Sequence, residues 1–255
     1  MLVIIKKEFD DLSKEAAKLI ATKIRNKPDL VLGLATGSSP LGIYKELIRL
    51  HKEEGLDFSK VTTFNLDEYV GLPPSHDQSY HYFMKRNLFE HINLDERYIH
   101  VPHGMAKDID KFCWWYEKRI KDAGGIDLQI LGIGANGHIA FNEPGSSLGS
   151  RTRIKTLTEK TRNDNARFFS NMAEVPKYAI TMGVGTIMDA KELVLIANGK
   201  SKANAIKASV EGPITAMCPA SIIQMHQKAY VFADEEASTY LEGDYVDNWE
   251  SVIFE

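Results

Sequence analysis

Residues 127–145 read DLQILGIGANGHIAFNEPG. The first seven, Asp127–Ile133, are a short apolar run of the kind that forms a strand buried on both faces. The chain then turns: Gly132, Gly134 and Gly137 permit tight backbone geometry, and Pro144 and Gly145 interrupt any helix before it gains length. Outward from this stretch the pattern repeats. Leu30–Ala35 (LVLGLA), Val61–Leu66 (VTTFNL), Glu192–Ala197 (ELVLIA) and Ala229–Ala233 (AYVFA) are strand-like runs. Between them, Phe9, Leu12, Ala16, Leu19, Ile20 and Ile24 recur near a 3.6-residue period, as do Tyr44, Leu47 and Ile48, and then Phe112, Tyr116 and Ile120. Alternating strands and helices predict an α/β fold with a mostly parallel, helix-covered sheet.

With 255 residues, 44% hydrophobic and 26% charged, the chain has a globular composition and length enough for a sizeable core. Absence of repeats or Pro/Ser-rich linkers predicts one domain over 1–255. Its weakest core pattern, about 150–176, is polar and Asn-rich and suits a mobile lid. No run approaches the ~18–20 apolar residues of a transmembrane helix, and MLVIIKKEFD holds too short an apolar stretch for a secretory signal, so a cytoplasmic protein without membrane association is expected. The two cysteines, Cys113 and Cys218, cannot build a disulfide framework or a zinc cage and are expected reduced and buried.

Charge is uneven. Residues 234–255 carry eight acidic and no Lys or Arg residues, so the preceding chain holds all 31 basic residues against 27 acidic ones. Arg151, Arg153, Lys155, Lys160, Arg162 and Arg167 fall within seventeen residues, opposed by Glu159 and Asp164. In a net-acidic protein (−4) such a cluster fits a solvated polar face or a local anion site, not nucleic-acid binding.

Ligands of open parallel sheets bind beyond the carboxyl ends of strands, where three loops carry chemistry. Thr36-Gly37-Ser38-Ser39-Pro40 offers hydroxyls and backbone N–H groups at a helix start, which suits a phosphate; a plain capped turn fits equally. Asp67 and Glu68 are adjacent carboxylates at a strand end, where shielding from water would make a base; an N-cap or surface turn is the simpler alternative. The 132–145 loop satisfies G-x-G-x-x-G, yet no helix has room to follow, and about twenty residues on the chain reads RIKTLT where a ribose-binding acid should stand. What remains is a glycine-rich loop presenting His138, a neutral-pH proton carrier, with Glu143 near enough in sequence to fix its tautomer. His100, His103, His76 and His81 lack metal-site spacing, no G-x-S-x-G occurs, and Cys113 between Phe112 and Trp114 reads as core.

The strings LGLATGSSP (32–40), FNLDEYVGL (64–72), GHIAFNEPGSSL (137–148) and SRTRIKTLT (150–158) together resemble the glucosamine-6-phosphate deaminase family, to about residue 235, with the last twenty residues unmatched. The resemblance implies a modified Rossmann-like three-layer α/β/α sandwich. It also implies isomerising deamination of glucosamine 6-phosphate to fructose 6-phosphate and ammonia, in amino-sugar catabolism, without metal or organic cofactor. It places Asp67 as the base at C2 and Asn136, His138 and Glu143 in the ring-opening group. The substrate phosphate falls to Thr36, Gly37, Ser38, Ser39, Arg167 and Lys202. Many members carry Asp where this chain has Asn136; an amide orients the imidazole without stabilising its cation. Members activated by N-acetylglucosamine 6-phosphate bind it at a hexamer interface, through positions matching Ser146, Arg153, Lys155 and Thr156. A homo-oligomer, a hexamer before others, is thus implied, with Tyr245 or Trp249 as candidates for the aromatic that completes the effector site. A lactonase on the same fold and a non-catalytic sugar-phosphate sensor are the alternatives.

Overall fold

Alternating apolar strands and amphipathic helices build a layered α/β structure in the computed structural model, which describes residues 1–166 and 169–251. The elements run β1 (Leu2–Lys6), α1 (Phe9–Asn26), β2 (Val31–Leu34), α2 (Leu41–Glu54), β3 (Thr62–Asn65), β4 (Asp67–Tyr69), α3 (Tyr80–Asn87), β5 (Ile99–His100) and α4 (Ile109–Asp122). They continue with β6 (Leu128–Gly132), β7 (Arg153–Thr156), α5 (Glu159–Ala166), β8 (Tyr178–Thr181), α6 (Val184–Met188), β9 (Glu192–Ala197), α7 (Ala203–Val210) and β10 (Ala229–Asp234). Seven strands lie in the order β1-β10-β9-β6-β2-β3-β5, every pair parallel. β2, β9 and β10 are apolar at nearly every position and buried on both faces, as a helix-covered parallel sheet requires.

Helix chemistry is consistent with this layering. Leu12, Ala16, Leu19, Ile20 and Ile24 give α1 its buried stripe, while Asp10 and Asp11 in its first turn and Lys23 and Arg25 in its last complement the dipole. α2 starts after Pro40 and ends at Gly55, whose φ of 68° lets its N–H cap the Leu50 carbonyl. Ile4, Ile130, Leu195 and Phe232 are fully buried; truncating such a side chain to Ala costs about 2–5 kcal/mol.

The chain leaves β2 toward β3 but leaves β6 toward β9, so its progress diverges between two neighbouring strands. The loops following β2 and β6 therefore flank a crevice. β4, β8 and β7 form a small antiparallel sheet, tied to the large one where the Met182 N–H meets the Leu66 carbonyl at 2.7 Å.

β9 has the bounds its sequence predicts, and β2, β3, β6 and β10 lie within a residue or two of theirs. The small sheet is not foreseen: Asp67–Tyr69 is itself a strand rather than the end of one, and Arg153–Thr156 pairs along β8. The basic cluster is divided. Arg151 pairs with Glu117 at 2.8 Å and Asp189 at 2.5 Å, and Arg162 donates to the Met172 and Val175 carbonyls. Both cysteines are free and buried. No helix among the described residues is long and apolar enough to cross a membrane.

Candidate active site

After β2 the chain turns at Gly37, whose φ of 100° favours glycine, and Thr36–Leu41 run into the N-terminus of α2. Ser39 is buried and its hydroxyl meets Asn198 at 3.1 Å, whereas Gly37 and Ser38 stay exposed. Orphan N–H groups and the helix dipole together favour an anion here.

β4 carries the two carboxylates into different surroundings. Glu68 points at the start of α3: it accepts from the N–H groups of Tyr69 (2.8 Å), Tyr80 (2.9 Å) and His81 (2.9 Å). Burial pushes it up to about 7 despite those three bonds. Asp67 is also buried, but lines the crevice, and among the described residues no donor meets its carboxylate. Burial first and the neighbouring Glu68 second push it up to about 8. A carboxylate so placed holds a proton firmly and takes one readily.

The loop after β6 turns without a helix as far as Gly145, which rules out the dinucleotide geometry. The His138 ring lies where a Cβ on Gly134 would be, within 2.2–2.5 Å, so only glycine admits the imidazole at that position. Ala140, with φ of 50°, is a non-glycine residue in the left-handed region; such strain is commonest at functional sites. Behind the imidazole the hydrogen bonds have one direction. Asn136 Nδ2 donates to Glu143 Oε2 at 2.8 Å, so Asn136 Oδ1 accepts from His138 Nδ1 at 2.8 Å, and in the neutral imidazole Nε2 carries no proton. Glu143 Oε2 is 3.6 Å from Nδ1, and its Oε1 accepts from the Thr161 hydroxyl at 2.5 Å. Burial raises the Glu143 pKa, but His138, Thr161 and Asn136 outweigh it and bring it down to about 2.

One cavity of about 550 Å³ gathers Thr36–Ser39, Asp67, His138 and Lys202. Asn136 and Glu143 stand behind His138. Arg167 lies outside the described residues. The sequence reading missed the aromatic wall of Tyr69, Tyr80, Phe141 and Phe169, with Tyr80 and Phe141 stacked at 6.1 Å, and it missed Thr161. Tyr69 sits within the LDEY string; Thr161 has no local signal in its polar stretch.

The residues matched to the effector site stand elsewhere. Arg153 and Lys155 alternate with Ile154 and Thr156 along β7. Arg153 Nη2 donates to Asn142 Oδ1 at 2.9 Å, and burial lowers its pKa. Ser146 is buried, and its hydroxyl has no hydrogen-bond partner among the described residues. The Tyr245 hydroxyl donates to Glu211 at 2.5 Å, Val246 bridges to Ile4 on the β1 edge of the large sheet, and Trp249 packs on the core.

A buried carboxylate, an imidazole hydrogen-bonded at Nδ1 and the start of a helix gather around one cavity, a candidate acid–base site on a parallel α/β sheet. The chain belongs to the glucosamine-6-phosphate isomerase/6-phosphogluconolactonase family, whose model matches residues 6–232. A glucosamine-6-phosphate deaminase of Thermoanaerobacter sp. (strain X514) is 51% identical over 253 residues, covering 99% of this chain and 100% of that protein. The match therefore extends into the tail that the resemblance left unmatched. One from Clostridium perfringens (strain SM101 / Type A) is 52% identical over 241 residues, 94% of this chain and 100% of that protein. A solved structure described as a monomeric glucosamine-6-phosphate deaminase superposes with a TM-score of 0.91 at 46% identity, covering 94% of this chain and 99% of that one. The 6-phosphogluconolactonase of Trypanosoma brucei shares the fold, with a TM-score of 0.76 at 18% identity over 94% of this chain and 98% of that one.

Proposed function

We propose that this chain converts glucosamine 6-phosphate and water to fructose 6-phosphate and ammonia, an aldose–ketose isomerising hydrolysis of a carbon–nitrogen bond in amino-sugar breakdown in the cytoplasm. The observation that carries the reading is the shared cavity of Asp67, His138 and the 36–39 loop. The relatives near 50% identity that bear the deaminase name agree with it.

His138 Nε2 takes the proton of the anomeric hydroxyl and returns it to the ring oxygen, breaking the C1–O5 bond and leaving an aldehyde at C1. The Asn136–Glu143 chain keeps Nδ1 protonated during that exchange. Asp67 then removes the C2 proton, O1 gains a proton, and a C1=C2 enolamine results. Protonation at C1 leaves a C2 imine. Water adds to it, ammonia departs, and the ketose remains. The helix start at 36–40, with Lys202 and Arg167, holds the phosphate. The 150–176 segment, beyond the strand pairing of β7, serves as a lid over the sugar.

N-acetylglucosamine 6-phosphate activates the enzyme through Ser146, Arg153, Lys155 and Thr156 at an interface of a homo-oligomer, a hexamer before others. Two cations on one face of β7 suit a phosphate, and Arg153 holds Asn142, the neighbour of Glu143. The solved relative described as monomeric makes the assembly state the point to measure. Ammonia release over a glucosamine 6-phosphate series, with and without the acetylated sugar, tests the reaction and the effector together.

A further inference from the structure

α5 is built from EKTRNDNA, with a single alanine as its apolar content, so burial of a nonpolar face does not hold it in place. Among its described side chains, Arg162 donates to the Met172 and Val175 carbonyls of the segment that follows, whereas Thr161 bonds to Glu143 beside the imidazole. Thr161 is buried, and its Oγ1 lies 2.5 Å from Glu143 Oε1. With that proton committed to the carboxylate, Thr161 Oγ1 accepts the Thr158 hydroxyl at 2.9 Å, and Thr158 Oγ1 accepts the Thr161 N–H at 3.1 Å. Glu143 Oε2 is filled from the other side by Asn136. The two carboxylate oxygens thus join α5 on one side to the imidazole on the other.

We propose that Thr161 is a positioning residue: its hydroxyl fixes the Glu143 carboxylate, so that His138 is oriented for proton transfer only while α5 is docked. The inference rests on the functional reading above and adds to it a physical link between the 158–166 segment and ring opening. Thr161 also borders the cavity, but the role assigned here needs no contact with the sugar or the phosphate. It acts through Glu143 and Asn136 on the tautomer and orientation of the imidazole.

The test compares wild type, Thr161→Val, which keeps the shape and removes the hydroxyl, and Thr161→Ser, which restores it. Thr161→Ala replaces the valine variant should that fail to fold. Ammonia release gives kcat and KM. Inhibition by 2-amino-2-deoxyglucitol 6-phosphate, an open-chain alcohol that needs no ring opening, gives an independent measure of binding. The proposal expects kcat to fall at least fivefold in Thr161→Val, KM and the inhibitor's affinity to stay within twofold, and Thr161→Ser to recover most of kcat. Equal kcat in wild type and Thr161→Val overturns it. So does a fall in kcat matched by equal loss of inhibitor affinity, which would make Thr161 a packing residue. Absence of ammonia from wild type is the distinct failure, that of the functional reading itself.

Discussion

The side-chain oxygen of Asn136 lies 2.8 Å from Nδ1 of His138 and is oriented by the bond its own amide makes to Glu143. The imidazole is therefore held by a neutral acceptor, with the negative charge one residue removed, 3.6 Å away on Glu143. Asn136→Asp places a second carboxylate against the ring and stabilises imidazolium. The acid limb of the kcat/KM profile then moves to higher pH. Asn136→Ala removes both bonds and costs about 10–100-fold in kcat, as outer-shell orientation commonly does. An Asn136→Asp profile superimposable on wild type would contradict the role given to the amide.

Asp67→Asn abolishes ammonia release, since a general base typically contributes about 10²–10⁴-fold, yet raises stability. Burial and Glu68 lift Asp67 from an ordinary 3.8 to about 8. Between those values the folded chain binds more protons than the unfolded one, so this group destabilises the fold as pH rises through the window. The amide removes that titration. The variant's advantage over wild type should be absent near pH 4, grow toward pH 8 by at most about 1.4 kcal/mol per pH unit, and then level. Thermal melts of both proteins from pH 4 to 9 check the sign and the window.

Much of this arrangement is legible in the residue order. Fully buried parallel strands need uninterrupted apolar runs, so ELVLIA gives β9 at its true ends and LVLGLA brackets β2. The glycine loop and the LDEY carboxylates announce themselves because polar, conformationally special residues follow those strands directly. β4, β7 and β8 are three or four residues long, and β7 reads Arg-Ile-Lys-Thr, half exposed, so neither length nor apolar content separates it from a loop. Thr161 meets Glu143 from eighteen positions along the chain, a contact that tertiary packing alone creates. The tail contact is of the same kind: the Tyr245 hydroxyl donates to Glu211, thirty-four residues away in sequence.

Lys202 lines the cavity that holds the 36–39 loop. Lys202→Ala removes a point charge from the phosphate, and KM for glucosamine 6-phosphate should rise about 10–100-fold, while the smaller change in kcat reflects lost positioning. Unphosphorylated glucosamine, which makes no use of that charge, should be processed equally by both proteins. A KM unmoved by the substitution would relocate the phosphate.

Lys155→Ala should remove the difference between saturation curves taken with and without N-acetylglucosamine 6-phosphate. In the wild type the acetylated sugar should turn a sigmoidal curve hyperbolic. Sedimentation at micromolar concentration supplies the second half of this test. A monomer would delete the interface on which the effector site depends, and curves indifferent to the effector would leave Arg153 and Lys155 as strand residues of the small sheet.

The most direct measurement is ammonia and fructose 6-phosphate released from glucosamine 6-phosphate by wild type and Asp67→Asn. The account predicts equal amounts of both products from the wild type and none from the variant, although the variant is folded and binds the substrate. Absence of both products from well-folded wild-type protein, or full activity in Asp67→Asn, would contradict it.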